Sequence, residues 1–253
     1  MKVITLALAV VLAAAAGVAV AGLPAHRSTA GKRQMPASAP SAQQTTSAAP
    51  GPQQAAIDSD VRALEAMSPV ESHPSRCYPA IPASQAAQPD LFARAFTDQL
   101  LTLNFNCQRE DLLSWIQAES ASSSEHLVVG LVPKDLRDKL AVYSLTQSSD
   151  GSAVPVPTAS EWAAWRGRSA YTTGRIQKTF EPPQWSDAVA SGQLSDAGIT
   201  ERQVDAEITT HWKQGSRVLS ANKSISLVMN IEGPPHRARY GFVTAVIYQE
   251  VPA

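Results

Sequence analysis

The sequence predicts an α+β fold, with N-terminal helices packed on a curved antiparallel sheet of about four strands. Three observations predict it. Apolar residues recur at a helical period between about residues 88 and 168. At about residue 169 the period changes to 2, and it stays there to residue 250. Turn residues, not further helical runs, separate the alternating segments, which is the pattern of helices followed by an antiparallel sheet.

The helices come first. In "QPDLFARAFTDQLLTLNF", Pro89 stands in the first turn, where its missing N–H costs nothing, and Phe92, Phe96, Leu100 and Leu103 make one apolar face. "REDLLSWIQAE" carries Leu112, Trp115, Ile116 and Glu119 at helical spacing, with Glu110 and Asp111 near its start, where the helix dipole favours acids. "VPKDLRDKLAVYSLT" opens with Pro133 and repeats Leu136, Leu140 and Tyr143. "TASEWAAWRGR" shows a capping box, Thr158 with Glu161, ahead of Trp162 and Trp165. Trp115, Trp162 and Trp165 are expected in the core or at a helix–sheet seam.

The strands follow. "SAYTTGRIQKTFE" (169–181) is rich in Thr and aromatics. "QVDAEITTHWK" (203–213) alternates strictly, with Val204, Ala206, Ile208, Thr210 and Trp212 on one face and Asp205, Glu207, Thr209, His211 and Lys213 on the other. Gln214-Gly215-Ser216 reads as a hairpin turn. "RVLSANKSISLVMNIE" (217–232) alternates again, "GPP" (233–235) breaks the chain, and "RARYGFVTAVIYQE" (237–250) is a last strand. Apolar residues on both faces of that strand predict a central, well-covered position.

Upstream, "MKVITLALAVVLAAAAGVAVAG" has one Lys and then an uncharged run from Val3 to Leu23. Two readings stand: a signal peptide cleaved after Ala19-Val20-Ala21, or a single membrane anchor. Both export the rest of the chain. Residues 28–56 are almost all Ala, Ser, Thr, Pro, Gln and Gly, too poor in apolar surface to offset their ordering entropy. The expected organisation is a signal peptide or anchor over 1–22, a disordered tether over 23–87 and an exported domain over 88–253. The only cysteines are Cys77 and Cys107. In an exported chain they are candidates for a disulfide, with two buried free thiols as the alternative.

The 21 basic and 22 acidic side chains lack the basic excess of a nucleic-acid binder, so no direct nucleic-acid contact is expected. No metal site is expected, since the two Cys lack His partners at ligand spacing and His26, His73 and His126 stand alone. Ser220-Ala221-Asn222-Lys223 matches S-x-x-K but lies in a strand pattern without its companion motifs. Asn222-Lys223-Ser224 is a glycosylation sequon by pattern only. His211 shares a strand face with Asp205 and Glu207. A concave sheet makes that face an acid–base pocket; a flat one makes it the solvent face. Trp185 follows Pro182-Pro183 in the connection 182–200 and, with Arg237 and Arg239, is a candidate interaction surface. The plainer reading of the two arginines is a solvated strand end.

"DLFARAFTDQLLTLNF", then "DLLSWIQAES", then the strands of 203–250 resemble actinobacterial conjugation proteins of the TcpC type, themselves similar to the bitopic inner-membrane assembly component of type IV secretion systems. The resemblance covers roughly residues 88–250. It implies an N-terminal span, a flexible linker and an exported domain of the cone-shaped, nuclear-transport-factor-two-like fold. It implies a scaffold that contacts other channel proteins and itself, with no catalysis and no cofactor. The Asn-Pro-x-Gly turn of Gram-negative members has no counterpart here, so no interface residue is carried over. The alternative is a secreted cone-fold ligand binder or enzyme using Asp205, Glu207 and His211.

Overall fold

The structure, a computed structural model, describes residues 52–120, 136–148, 152–194 and 197–251. Among them are six helices and one antiparallel sheet, so the α+β expectation holds. The helices are α1 (Pro52–Ala66), α2 (Pro89–Leu101), α3 (Arg109–Ala118), α4 (Arg137–Thr146), α5 (Ala159–Gly167) and α6 (Pro183–Ala190). The strands are β1 (Tyr171–Phe180), β2 (Ile199–Gln214), β3 (Arg217–Glu232) and β4 (Gly241–Val251), in spatial order β1-β2-β3-β4. The apolar N-terminal run and Pro133 lie outside the described residues, and no helix among the described residues is long and apolar enough to cross a membrane.

Period and burial agree closely along α2. Phe92, Ala93, Phe96 and Leu100 are fully buried, and the helix lies across β1, β2 and β3. Gly174 lets it come this close, since a Cβ there would stand 3.2 Å from the Leu101 Cβ. Replacing Gly174 by Val is therefore expected to push α2 off β1 and lower the unfolding midpoint, a loss of roughly 1–3 kcal/mol readable by urea titration. In α3 the buried set is Leu112, Ser114, Trp115 and Ile116. In α5 the Thr158 side chain accepts from the Glu161 N–H, and Glu161 Oε2 accepts from the Thr158 N–H at 2.9 Å, completing the capping box. Trp162 then donates its indole N–H to the Cys107 carbonyl at 3.0 Å.

The two long strands β2 and β3 pair along their whole length, from Ile199↔Glu232 to Gln214↔Arg217. Gly215, at φ +63°, takes the left-handed position of the two-residue turn between them. Val204, Ala206 and Ile208 of β2 and Ile225, Leu227, Met229 and Ile231 of β3 face the helices and form the core with α2 and α3.

Three expectations need correction. The last strand begins at Gly241, not at 237, and β4 is an edge strand, not a central one. Its apolar residues lie on both parities because register slips opposite Met229, Ile231 and Glu232 change its phase, so Val243 and Val246 both enter the core. Helix α4 covers it, with the Val246 N–H donating to Ser144 Oγ at 3.0 Å. Second, the chain is ordered well upstream of residue 88. Within the stretch read as tether, α1 packs Leu64 against Leu136 and Tyr143 of the α4 region, and Tyr143 donates to Asp60 Oδ1 at 2.7 Å. Residues Tyr78, Ile81 and Ala86 are buried in the main core. Third, the connection 182–200 contains α6 and the start of β2.

Candidate functional site

The candidate residues fall in four places. Cys77 and Cys107 are joined by a disulfide across 30 residues of sequence. The bridge fastens the segment before α2 to the loop after it. Around it, Ser114 Oγ donates to the His73 carbonyl at 3.0 Å, and the Ile81 N–H donates to Glu119 Oε1 at 3.1 Å.

Asp205, Glu207 and His211 all lie on the face of β2 turned away from the helices, and each is half-buried. The strand keeps them apart. At about 3.3 Å per residue, His211 is about 13 Å from Glu207 and about 20 Å from Asp205. No acid–base pair forms among them. Asp205 Oδ1 instead accepts from Gln203 Nε2 and Ser226 Oγ, both at 2.9 Å. The His211 ring stacks on Tyr171, with centroids 4.7 Å apart and planes 18° apart. Among the described residues no group of three or more His, Cys, Asp or Glu is placed to hold a metal ion.

Arg237 and Arg239 are not a solvated strand end. Both guanidinium groups lie over the Phe242 ring, at 4.0 and 5.8 Å. Arg237 Nε also donates to Glu232 Oε2 at 3.1 Å, and Glu232 is buried. Phe242 has φ +57°, a left-handed backbone that a bulky residue adopts only when its surroundings hold it there. The arginines thus brace the entry to β4. Trp185 sits half-buried in α6.

Glu119, at helical spacing with Leu112, Trp115 and Ile116, is buried with them, and the sequence reading missed two further buried carboxylates, Glu201 and Glu232. For Glu201 the signal is its phase: it continues the Asp205 and Glu207 face of β2 toward the strand's start, where Asn230 lies opposite. Asn230 Nδ2 donates to Glu201 Oε2 at 3.0 Å. Burial nevertheless pushes the Glu201 carboxyl up to about 7; the Asn230 hydrogen bond opposes this and the nearby Glu181 charge adds to it. Burial likewise raises Glu119, against the Ile81 N–H and the Arg239 charge.

A pH dependence follows. Below about pH 4.5 Glu201 is neutral in both folded and unfolded chains, and it imposes no penalty. Above that the unfolded chain loses its proton first, so stability falls as pH rises from about 4.5 to about 7 and then levels off. The loss is roughly 3 kcal/mol. Urea titrations at the two ends of this window are expected to show Glu201→Gln flattening that slope; an unchanged slope in the variant assigns it elsewhere.

The outer sheet face also holds a groove of about 360 Å³, where the chain after α2 runs beside β1. Together these features define an α+β domain with a disulfide-fastened leading segment and an open, polar sheet face. No family model matches the chain, and no curated protein or solved structure matches it either.

Proposed function

We propose that this chain is a membrane-tethered, non-enzymatic scaffold domain of a conjugation or type IV secretion apparatus, with the helices and sheet forming a cone of the nuclear-transport-factor-two-like kind. The observation that carries the reading is the order of parts: an uncharged apolar run, a Pro/Ser/Ala/Gln-rich stretch, and then an α+β domain whose leading edge is pinned by the Cys77–Cys107 bridge. A pinned leading edge transmits the position of the tether to the domain, which suits a part that docks while held near a membrane. The separation of Asp205, Glu207 and His211 along β2 also favours a scaffold over the acid–base alternative. Its partners are other channel proteins and further copies of itself. Cross-linking in intact cells, followed by affinity purification from membrane extracts, is expected to recover the chain with channel components or as its own oligomer. Recovery from the soluble fraction as a monomer would sink the proposal.

A further inference from the structure

The groove beside β1 is built from two segments far apart in sequence. After α2 the chain runs extended, and burial alternates along it: Leu103, Phe105 and Cys107 point inward while Thr102, Asn104 and Asn106 are exposed. This segment lies antiparallel to the start of β1, with Asn104 bridged to Tyr171. On β1, Thr172 is buried while Tyr171 and Thr173 are exposed. The groove is lined by Thr102, Asn104, Asn106, Tyr171 and Thr173, together with parts of Leu103 and Thr172. Asn104 Oδ1 accepts from the Asn106 N–H at 3.1 Å, which fixes that amide.

Tyr171 is the wall of the groove. It is 45% exposed, far more than the core aromatics. Its neighbours across the sheet are Asn104 on one side and His211 on the other. The His211 imidazole stacks on it. The phenol ring is thus backed on the β2 side and open to the groove on the other, held flat before any ligand arrives.

We propose that this groove binds a neutral carbohydrate chain. The open face of an aromatic ring carries partial negative charge and attracts the weakly positive C–H groups of a sugar's flat side. Beside it stand two amides and two hydroxyls, groups that both donate to and accept from sugar hydroxyls. Among the described residues no charged side chain lines the groove, which favours a neutral ligand over an anionic or cationic one. A shallow site with one aromatic anchor and a few placed polar groups fits a small part of a long polymer.

A peptide adding as a further strand is disfavoured here, because the backbone it would pair with is already used. The Thr172 N–H donates to the Leu103 carbonyl at 2.8 Å, and the Leu103 N–H donates to Thr172 Oγ1 at 2.7 Å.

The test is a glycan array carrying neutral and anionic oligosaccharides, probed with the full chain in detergent, followed by calorimetry on the best neutral oligosaccharide. Binding is expected for neutral glycans and is expected to change little between about 0.05 and 0.5 M salt. Tyr171→Ala should weaken it tenfold or more, and Tyr171→Phe should keep it within about threefold. Asn106→Trp, which fills the groove from an exposed position, should also abolish it and stands in if Tyr171→Ala does not fold. The proposal is overturned if no neutral glycan binds, if only anionic glycans bind with steep salt dependence, or if binding survives both Tyr171→Ala and Asn106→Trp.

Discussion

Replacing Cys77 and Cys107 together by Ser is expected to destabilise the domain by roughly 3–4 kcal/mol. The bridge closes a loop spanning 30 residues, and without it the unfolded chain regains that loop's freedom. The folded chain also loosens in one place. Residues 73–86 hold to α3 through the His73 and Ile81 hydrogen bonds and through Tyr78, whose ring lies 6.4 Å from Trp115. Those contacts stay available to the variant, but the segment must find them without a tie. The double variant is therefore expected to show a lower urea midpoint and early proteolytic cleavage between residues 67 and 88, with α2 and the sheet cut later. Reduced wild-type protein should behave alike, which separates the loss of the bridge from the cost of a hydroxyl at the largely buried Cys107. A loss below about 1 kcal/mol in both would mean that Tyr78, Ile81 and Ala86 fix the segment unaided.

The elements legible in the sequence are those whose local chemistry and period agree. Pro89 and the Phe92/Phe96/Leu100 face announce α2, the Thr158/Glu161 box announces α5, and strict alternation announces β2 and β3 up to the Gly215 turn. What was not legible depends on distant partners. Helix α1 sits in a Pro-, Ala- and Gln-rich context, and its buried Leu64 makes sense only beside Leu136 and Tyr143, about 70 residues on. The covered face of β4 belongs to α4, and its doubled apolar parity comes from register slips that no single strand reveals. Arg237 and Arg239 look like surface charge until Phe242 and the buried Glu232 are seen beneath them.

The candidate site divides in the same way. Six residues of extended chain separate Asp205 from His211, a spacing that itself argues against the acid–base pocket expected of a concave sheet. The groove at Tyr171 was not legible, because it exists only where residues 102–106 meet residues 171–173.

Phe96→Ala is expected to cost 3–5 kcal/mol, the range for deleting a buried phenyl ring. Phe96 is fully buried at the middle of α2. Its ring stacks on Trp115 of α3 at 5.0 Å and on Phe92 at 6.0 Å, so one side chain joins the two leading helices to each other. The neighbours cannot close the gap easily. Trp115 is held through Tyr78 by the disulfide-bound segment, and the backbone of α2 is already against β1 at Gly174. A cavity therefore remains, and its surface adds to the lost burial. Phe96→Leu keeps most of the volume and is expected to cost less than half as much, although it loses the stacking with Trp115. The readouts are the urea midpoint for both variants and the near-ultraviolet circular dichroism of the aromatic core, to which Trp115 contributes. The Ala variant should lose that signal before the backbone signal as denaturant rises. Against a total stability of about 5–15 kcal/mol, this change leaves the domain marginal only at the lower end of that range. Equal, small losses for Ala and Leu would show that α2 repacks freely over the sheet, against the close fit at Gly174.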